Sequence, residues 1–143
     1  MKSLMFPDAN VWLALIYEQH EHNQIAVKWY ESLKESTSLI FCRFTQLGLF
    51  RLLSAESVMR QDTLSRQQCL NIYDVWIESG LAFFAQEPPG LDAALRTRIL
   101  AGAISPKLWA EEYLAAFVDA GRLTLVTLDP ALSAKVNDAV LLA

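Results

Sequence analysis

Two aspartates occupy matching places in the sequence. Asp8 follows the short apolar run Leu4-Met5-Phe6-Pro7, and Asp129 follows the apolar, β-branched run Leu123 to Leu128. Between them in the chain, Glu111 and Glu112 open a strongly apolar stretch, so one of the two can point into a crevice that also receives the aspartates. Three carboxylates converging on one crevice repel each other unless a cation neutralises them, and oxygen-only ligands suit a hard ion such as Mg²⁺ or Mn²⁺. Each acid also has a purely structural use. Asp8 with Asn10 can cap the helix that follows, Asp129 before Pro130 can open a turn, and Glu111 and Glu112 both complement the positive end of a helix dipole.

Other chemistry-bearing residues give weaker signals. His20-Glu21-His22 places two histidines at i and i+2, which do not share a helix face, and hydrogen-bonding roles are expected for both. Cys42 and Cys69 lie far apart without Cys-x-x-Cys spacing and read as buried thiols. Trp12, Trp29, Trp76 and Trp109 fall among apolar neighbours on helical segments and read as core rather than as a base-stacking platform. Arg43, Arg51 and Lys107 flank the elements of the crevice, where phosphate contact and surface solvation are equally open readings.

The elements that must position these residues alternate. Strands are expected at Leu4 to Pro7, Ser38 to Phe41, Leu81 to Phe84 and Leu123 to Leu128, with a last edge strand at Ala139 to Leu142. Helices are expected from Val11 to Tyr17, around Ile25 to Trp29, from Arg43 to Ala55, from Thr63 to Ser79, from Leu91 to Ala101, and from Trp109 to Ala120 with Gly121 as its stop. Parallel strands need crossover connections, so this alternation implies an α/β fold, a mainly parallel sheet covered by helices on both faces. Ligands of such open sheets gather beyond the carboxyl ends of the strands, where Asp8 and Asp129 stand.

Composition narrows the class. The 143 residues suit one domain spanning 1–143, and at 53% hydrophobic and 20% charged the chain is too apolar for disorder. Twelve Lys and Arg against 16 Asp and Glu give a net charge of −4, which excludes a basic nucleic-acid coat. Stretches such as Val11 to Tyr17 and Tyr113 to Val118 fall far short of the ~20 residues of a membrane span, and the N-terminus lacks the pattern of a secretory signal, so a cytoplasmic protein is expected.

Four segments, in order along nearly the whole chain, resemble PIN-domain ribonucleases of the VapC toxin type. They are Asp8-Ala9-Asn10-Val11-Trp12-Leu13-Ala14-Leu15 with His20-Glu21-His22, Ala26 and Trp29; Thr45-Gln46-Leu47-Gly48-Leu49-Phe50-Arg51-Leu52-Leu53; Ser105-Pro106-Lys107-Leu108-Trp109 leading into Tyr113-Leu114-Ala115-Ala116-Phe117; and Leu125-Val126-Thr127-Leu128-Asp129. The resemblance implies a three-layer α/β/α sandwich, an acidic Mg²⁺ site, hydrolysis of RNA phosphodiesters, homodimerisation, and inhibition by a small antitoxin protein of a VapBC toxin-antitoxin system. Asp8 matches the family's first metal-binding aspartate and Asp129 its late acidic position. The family's central glutamate is matched by Gln46, whose amide oxygen is a neutral and weaker ligand, and its third acid, usually an aspartate, by the longer Glu111, with Glu112 beside it. Asp8, Glu111 and Asp129 are therefore the expected metal ligands, with Gln46 orienting a water or a phosphate. These departures keep a second reading open, a weakened or inactive PIN-fold module that binds an antitoxin or a sister subunit. An aspartyl-nucleophile phosphatase fits poorly, because the second acid of its usual Asp-x-Asp is Asn10 here.

Overall fold

A computed structural model of the chain describes residues 3–103 and 105–143. Its strands are β1 (Ser3–Pro7), β2 (Thr37–Phe41), β3 (Ala82–Phe84), β4 (Thr124–Thr127) and β5 (Ala139–Leu141). They form one sheet in the order β3-β2-β1-β4-β5, and all four pairings are parallel. The helices are α1 (Ala9–Ile16), α2 (Asn23–Glu31), α3 (Arg43–Leu53), α4 (Glu56–Met59), α5 (Arg66–Glu78), α6 (Leu91–Ala101), α7 (Leu108–Gly121) and α8 (Pro130–Ser133). Among the described residues no helix is long and apolar enough to cross a membrane.

Strand side chains alternate between two cores, as the period of two requires. Met5, Leu39 and Phe41 pack on one face of the sheet against α1, α2, α3 and α5. Phe6, Ile40 and Leu125 pack on the other against α6, α7 and α8. Trp12 anchors the first core, fully buried and stacked on Phe41 with ring centroids 4.0 Å apart. Phe6 meets Phe117 edge-on in the second. The result is the expected α/β/α sandwich.

The strand order sets the position of the site. From the central β1 the chain moves outward through β2 to β3, then returns to the other side of β1 as β4. This reversal is a topological switch point, and the crevice it opens lies beyond the carboxyl ends of β1 and β4.

Local chemistry explains the departures from the sequence expectations. The helix expected from Thr63 begins only at Arg66, because the Ser65 side chain caps it and Gln68 closes a reciprocal capping box. Upstream, α4 and a 3₁₀ turn at Arg60–Asp62 occupy a segment without apolar periodicity. Asp129-Pro130 starts the four-residue α8 rather than a simple turn, with proline in the first turn where its missing N–H costs nothing. Gly121 remains helical, and the left-handed residue that ends α7 is Arg122 at φ +54°. Both cysteines are free and buried. Trp109, expected in the core, is 63% exposed.

Candidate functional site

Parallel pairing of Pro7 with Val126 places Asp8 directly beside Thr127 across the switch point. The Asp8 amide extends the ladder by donating to Val126 O at 3.0 Å. The Asp8 carboxylate is fixed by two donors: the Val11 amide gives a 3.0 Å bond to Oδ1, which caps α1, and the Thr127 hydroxyl gives a 2.6 Å bond to Oδ2. Thr127 Oγ1 in turn accepts from the Asp129 amide at 3.0 Å, so one threonine ties both aspartates together. Asp129 Oδ1 accepts from the Ala131 amide at 2.9 Å and caps α8. Each aspartate therefore caps a helix and lines the crevice at the same time.

Burial pushes the Asp8 carboxyl above its ordinary value, and the charge of Asp129 adds to the effect. The bonds from Thr127 and Val11 pull the other way without reversing it. An anion held in such surroundings is a ready partner for a cation.

The two glutamates part company. Glu111 lines the same crevice as Asp8, Asn10 and Asp129, together with Phe44, Gly48 and Arg51. Glu112, one residue and about 100° further round α7, turns away into a buried ion network. Lys135 Nζ lies 2.6 Å from Glu112 Oε1 and 3.8 Å from Glu111 Oε2, and Arg98 approaches Glu112 at 4.0 Å while binding Asp119 at 2.6 Å. Asp8, Glu111 and Asp129 thus share one crevice, which Glu112 does not line.

Gln46 does not line that crevice. Its Oε1 accepts from the Arg43 guanidinium, which itself lies over the Phe84 ring on β3. Arg43 is thereby engaged in packing, Lys107 is an exposed residue at the start of α7, and Arg51 is the basic side chain of the three that faces the crevice. Gly48 lets α3 approach α1 closely, since a Cβ there would stand 3.0 Å from the Ala9 Cβ.

Two features of the site were not anticipated from sequence. Thr127 reads as an ordinary β-branched strand residue, and only its place at the end of a strand beside an acid hints at a bridging role. His20, Glu21 and His22 line a second hollow with Asp8, Asn10, Leu128 and Asp129, so the aspartate pair forms a ridge between two hollows. Burial, aided by His22, keeps the His20 imidazole below its ordinary value.

Oxygen donors from Asp8, Asp129 and Glu111 fit a hard divalent cation by chemistry. As placed, no three His, Cys, Asp or Glu side chains among the described residues come close enough together to hold an ion.

No family model matches the chain. It is 32% identical over 132 residues, 90% of either sequence, to Ribonuclease VapC41 of Mycobacterium tuberculosis. Its fold resembles that of VapC20 of the same species, a Sarcin-Ricin loop cleaving toxin, at a TM-score of 0.65 and 12% identity over 91% of this chain and 93% of that one. It also resembles VapBC2 of Rickettsia felis, solved bound to a promoter DNA fragment, at a TM-score of 0.63 and 14% identity over 98% and 99% of the two chains. An identity of this size over nine tenths of both sequences, on a sheet that gathers acids at its switch point, shows that the chain belongs to the VapC family of PIN-domain ribonucleases.

Proposed function

We propose that this protein is a divalent-cation-dependent ribonuclease toxin that hydrolyses RNA phosphodiester bonds, with Asp8, Asp129 and Glu111 holding Mg²⁺ or Mn²⁺. One observation carries the reading: two strand ends 119 residues apart deliver Asp8 and Thr127 to a single hydrogen bond, and the same hydroxyl accepts from the Asp129 amide, so both aspartates line a crevice shared with Glu111. A cation bound there would acidify the attacking water and stabilise the charge that grows on the phosphoryl oxygens.

The chain's own residues do the rest. The Val11 amide and the Thr127 hydroxyl fix the Asp8 carboxylate in one orientation, so it does not have to reorganise when substrate arrives. Arg51 offers a positive contact for an RNA phosphate in a molecule whose net charge is −4. Phe44 and Leu47, exposed at the mouth of the same crevice, offer apolar surface to an unstacked base or to a small inhibitory antitoxin. Pairing into a homodimer belongs to the same reading through the family.

The alternative, an inactive binding module, draws on one observation: Gln46 faces Arg43 rather than the acids. The deciding experiment incubates antitoxin-free protein and its Asp8→Ala variant with a pool of structured RNAs in Mg²⁺, Mn²⁺ or EDTA. Metal-dependent cutting that disappears in the variant is expected. Well-folded protein that cuts nothing under any condition would favour the binding module.

A further inference from the structure

The hollow lined by His20 has no role in the chemistry described so far, yet it shares Asp8, Asn10 and Asp129 with the acidic crevice. Its volume is about 250 Å³, and its wall is a short loop between α1 and α2 that hydrogen bonds hold in place. The His20 amide donates to Tyr17 O at 3.0 Å, the Asn23 amide donates to His20 O at 3.0 Å, and the Asn23 side chain donates to Ala14 O at 2.8 Å.

A further bond sets the chemistry of the ring. The His22 amide donates to His20 Nδ1 at 3.0 Å, so Nδ1 is an acceptor and the proton of the neutral imidazole sits on Nε2. The Nε2–H is then a donor that makes no hydrogen bond among the described residues. A nitrogen that carries its proton is not a metal ligand. His22, for its part, pairs with Glu21 at 3.3 Å. The hollow beside two aspartates is thus lined by His20, whose ring carries an uncharged N–H, and by Asn10.

An RNA strand crossing that ridge must place a phosphate on either side of the bond being cut, close to carboxylates that repel it. We infer that the His20 hollow receives the flanking phosphate on the side away from Arg51, with His20 Nε2–H donating to a non-bridging oxygen. This inference rests on the ribonuclease reading. The contact grips the backbone rather than a base, so it positions the strand without reading its sequence.

The test compares wild type, His20→Phe, His20→Ala and His20→Gln. Binding of a short fluorescein-labelled single-stranded RNA of mixed sequence is followed by anisotropy in EDTA across a salt series, and cleavage is followed in Mg²⁺. Loss of one hydrogen bond to a charged oxygen should weaken binding by about tenfold in the Phe and Ala variants, with the loss in KM rather than in kcat. Gln, which keeps an N–H, should recover most of it. Because the donor is neutral, the slope of log K against log salt should stay as in wild type, whereas loss of a cationic contact would flatten it. Unchanged RNA affinity in His20→Phe and His20→Ala overturns the inference, as does a loss matched by weaker Mn²⁺ binding in calorimetry. Wild-type protein that neither binds RNA nor, with Mg²⁺ supplied, cuts it overturns the ribonuclease reading as well.

Discussion

The molecule buries one acid, Asp8 or Glu112, in each of two acidic clusters and treats the two in opposite ways. At the switch point, Asp8 and Asp129 share a threonine and hydrogen-bond donors, but no lysine or arginine pairs with them among the described residues. Across α7, Glu112 and Asp119 each meet a cation supplied by the chain, Lys135 and Arg98. A buried carboxylate with its own counter-charge is satisfied and holds elements together. One that has only neutral donors keeps an unmet demand for positive charge, which the proposed cation would meet. Glu111 sits between the two, on the crevice yet within 3.8 Å of Lys135.

This contrast can be broken from either side. The largest effect is expected at the uncompensated end: Asp8→Ala should reduce RNA cleavage by roughly 10³-fold or more, about 4 kcal/mol of transition-state stabilisation. Residual activity near wild type in a gel assay would remove Asp8 from the chemistry. Next comes the compensated end. Lys135→Met strands Glu112 and should cost about 2–4 kcal/mol of stability in urea unfolding, with Glu112→Gln in the same chain recovering most of it.

A third comparison sets the neighbouring glutamates against each other. Glu111→Gln should weaken Mn²⁺ binding about tenfold in calorimetry and leave Tm nearly unchanged, whereas Glu112→Gln should lower Tm and leave Mn²⁺ binding alone. The reverse pattern would exchange their roles. The smallest effect concerns pH. The Asp8 carboxyl is raised in the fold, so between its ordinary and raised values the native state binds more protons than the unfolded chain. Its contribution to stability therefore falls as pH rises through that window. In EDTA, Asp8→Asn should melt higher than wild type above the window and show less of this fall, and an identical pH profile would mean that Asp8 costs the fold nothing.

How much of this was legible in the sequence differs from element to element. The helix Leu91–Ala101 coincides with its expected span, because the Pro88-Pro89-Gly90 turn precedes it and Ser105-Pro106 lies beyond its end. The five strands were legible as apolar runs, since a sheet covered on both faces has no solvent-facing side to interrupt them. Asp8 and Asp129 could be placed because residues just past the strands of a parallel sheet share one edge. Which of Glu111 and Glu112 lines the crevice was not legible. It depends on Lys135, 23 residues beyond Glu112 and brought to it only by tertiary packing. Gln46 was matched by sequence position, but its side chain answers to Arg43, its i−3 neighbour on α3. The histidine loop was read correctly as hydrogen-bonding but not placed at the site, because a loop's location is set by the elements it joins.

The separation between the two halves of the acidic site has a consequence for how the protein is made. β1 leaves the ribosome before the other four strands of the sheet, but its neighbour β4 is synthesised more than a hundred residues later, and until then Thr127 cannot reach Asp8. A nascent chain can stack β2 and β3 on one side of β1 and still lack the crevice. A protein of a ribonuclease family thus keeps its acidic centre unassembled while the more than one hundred residues between β1 and β4 are made on an RNA machine.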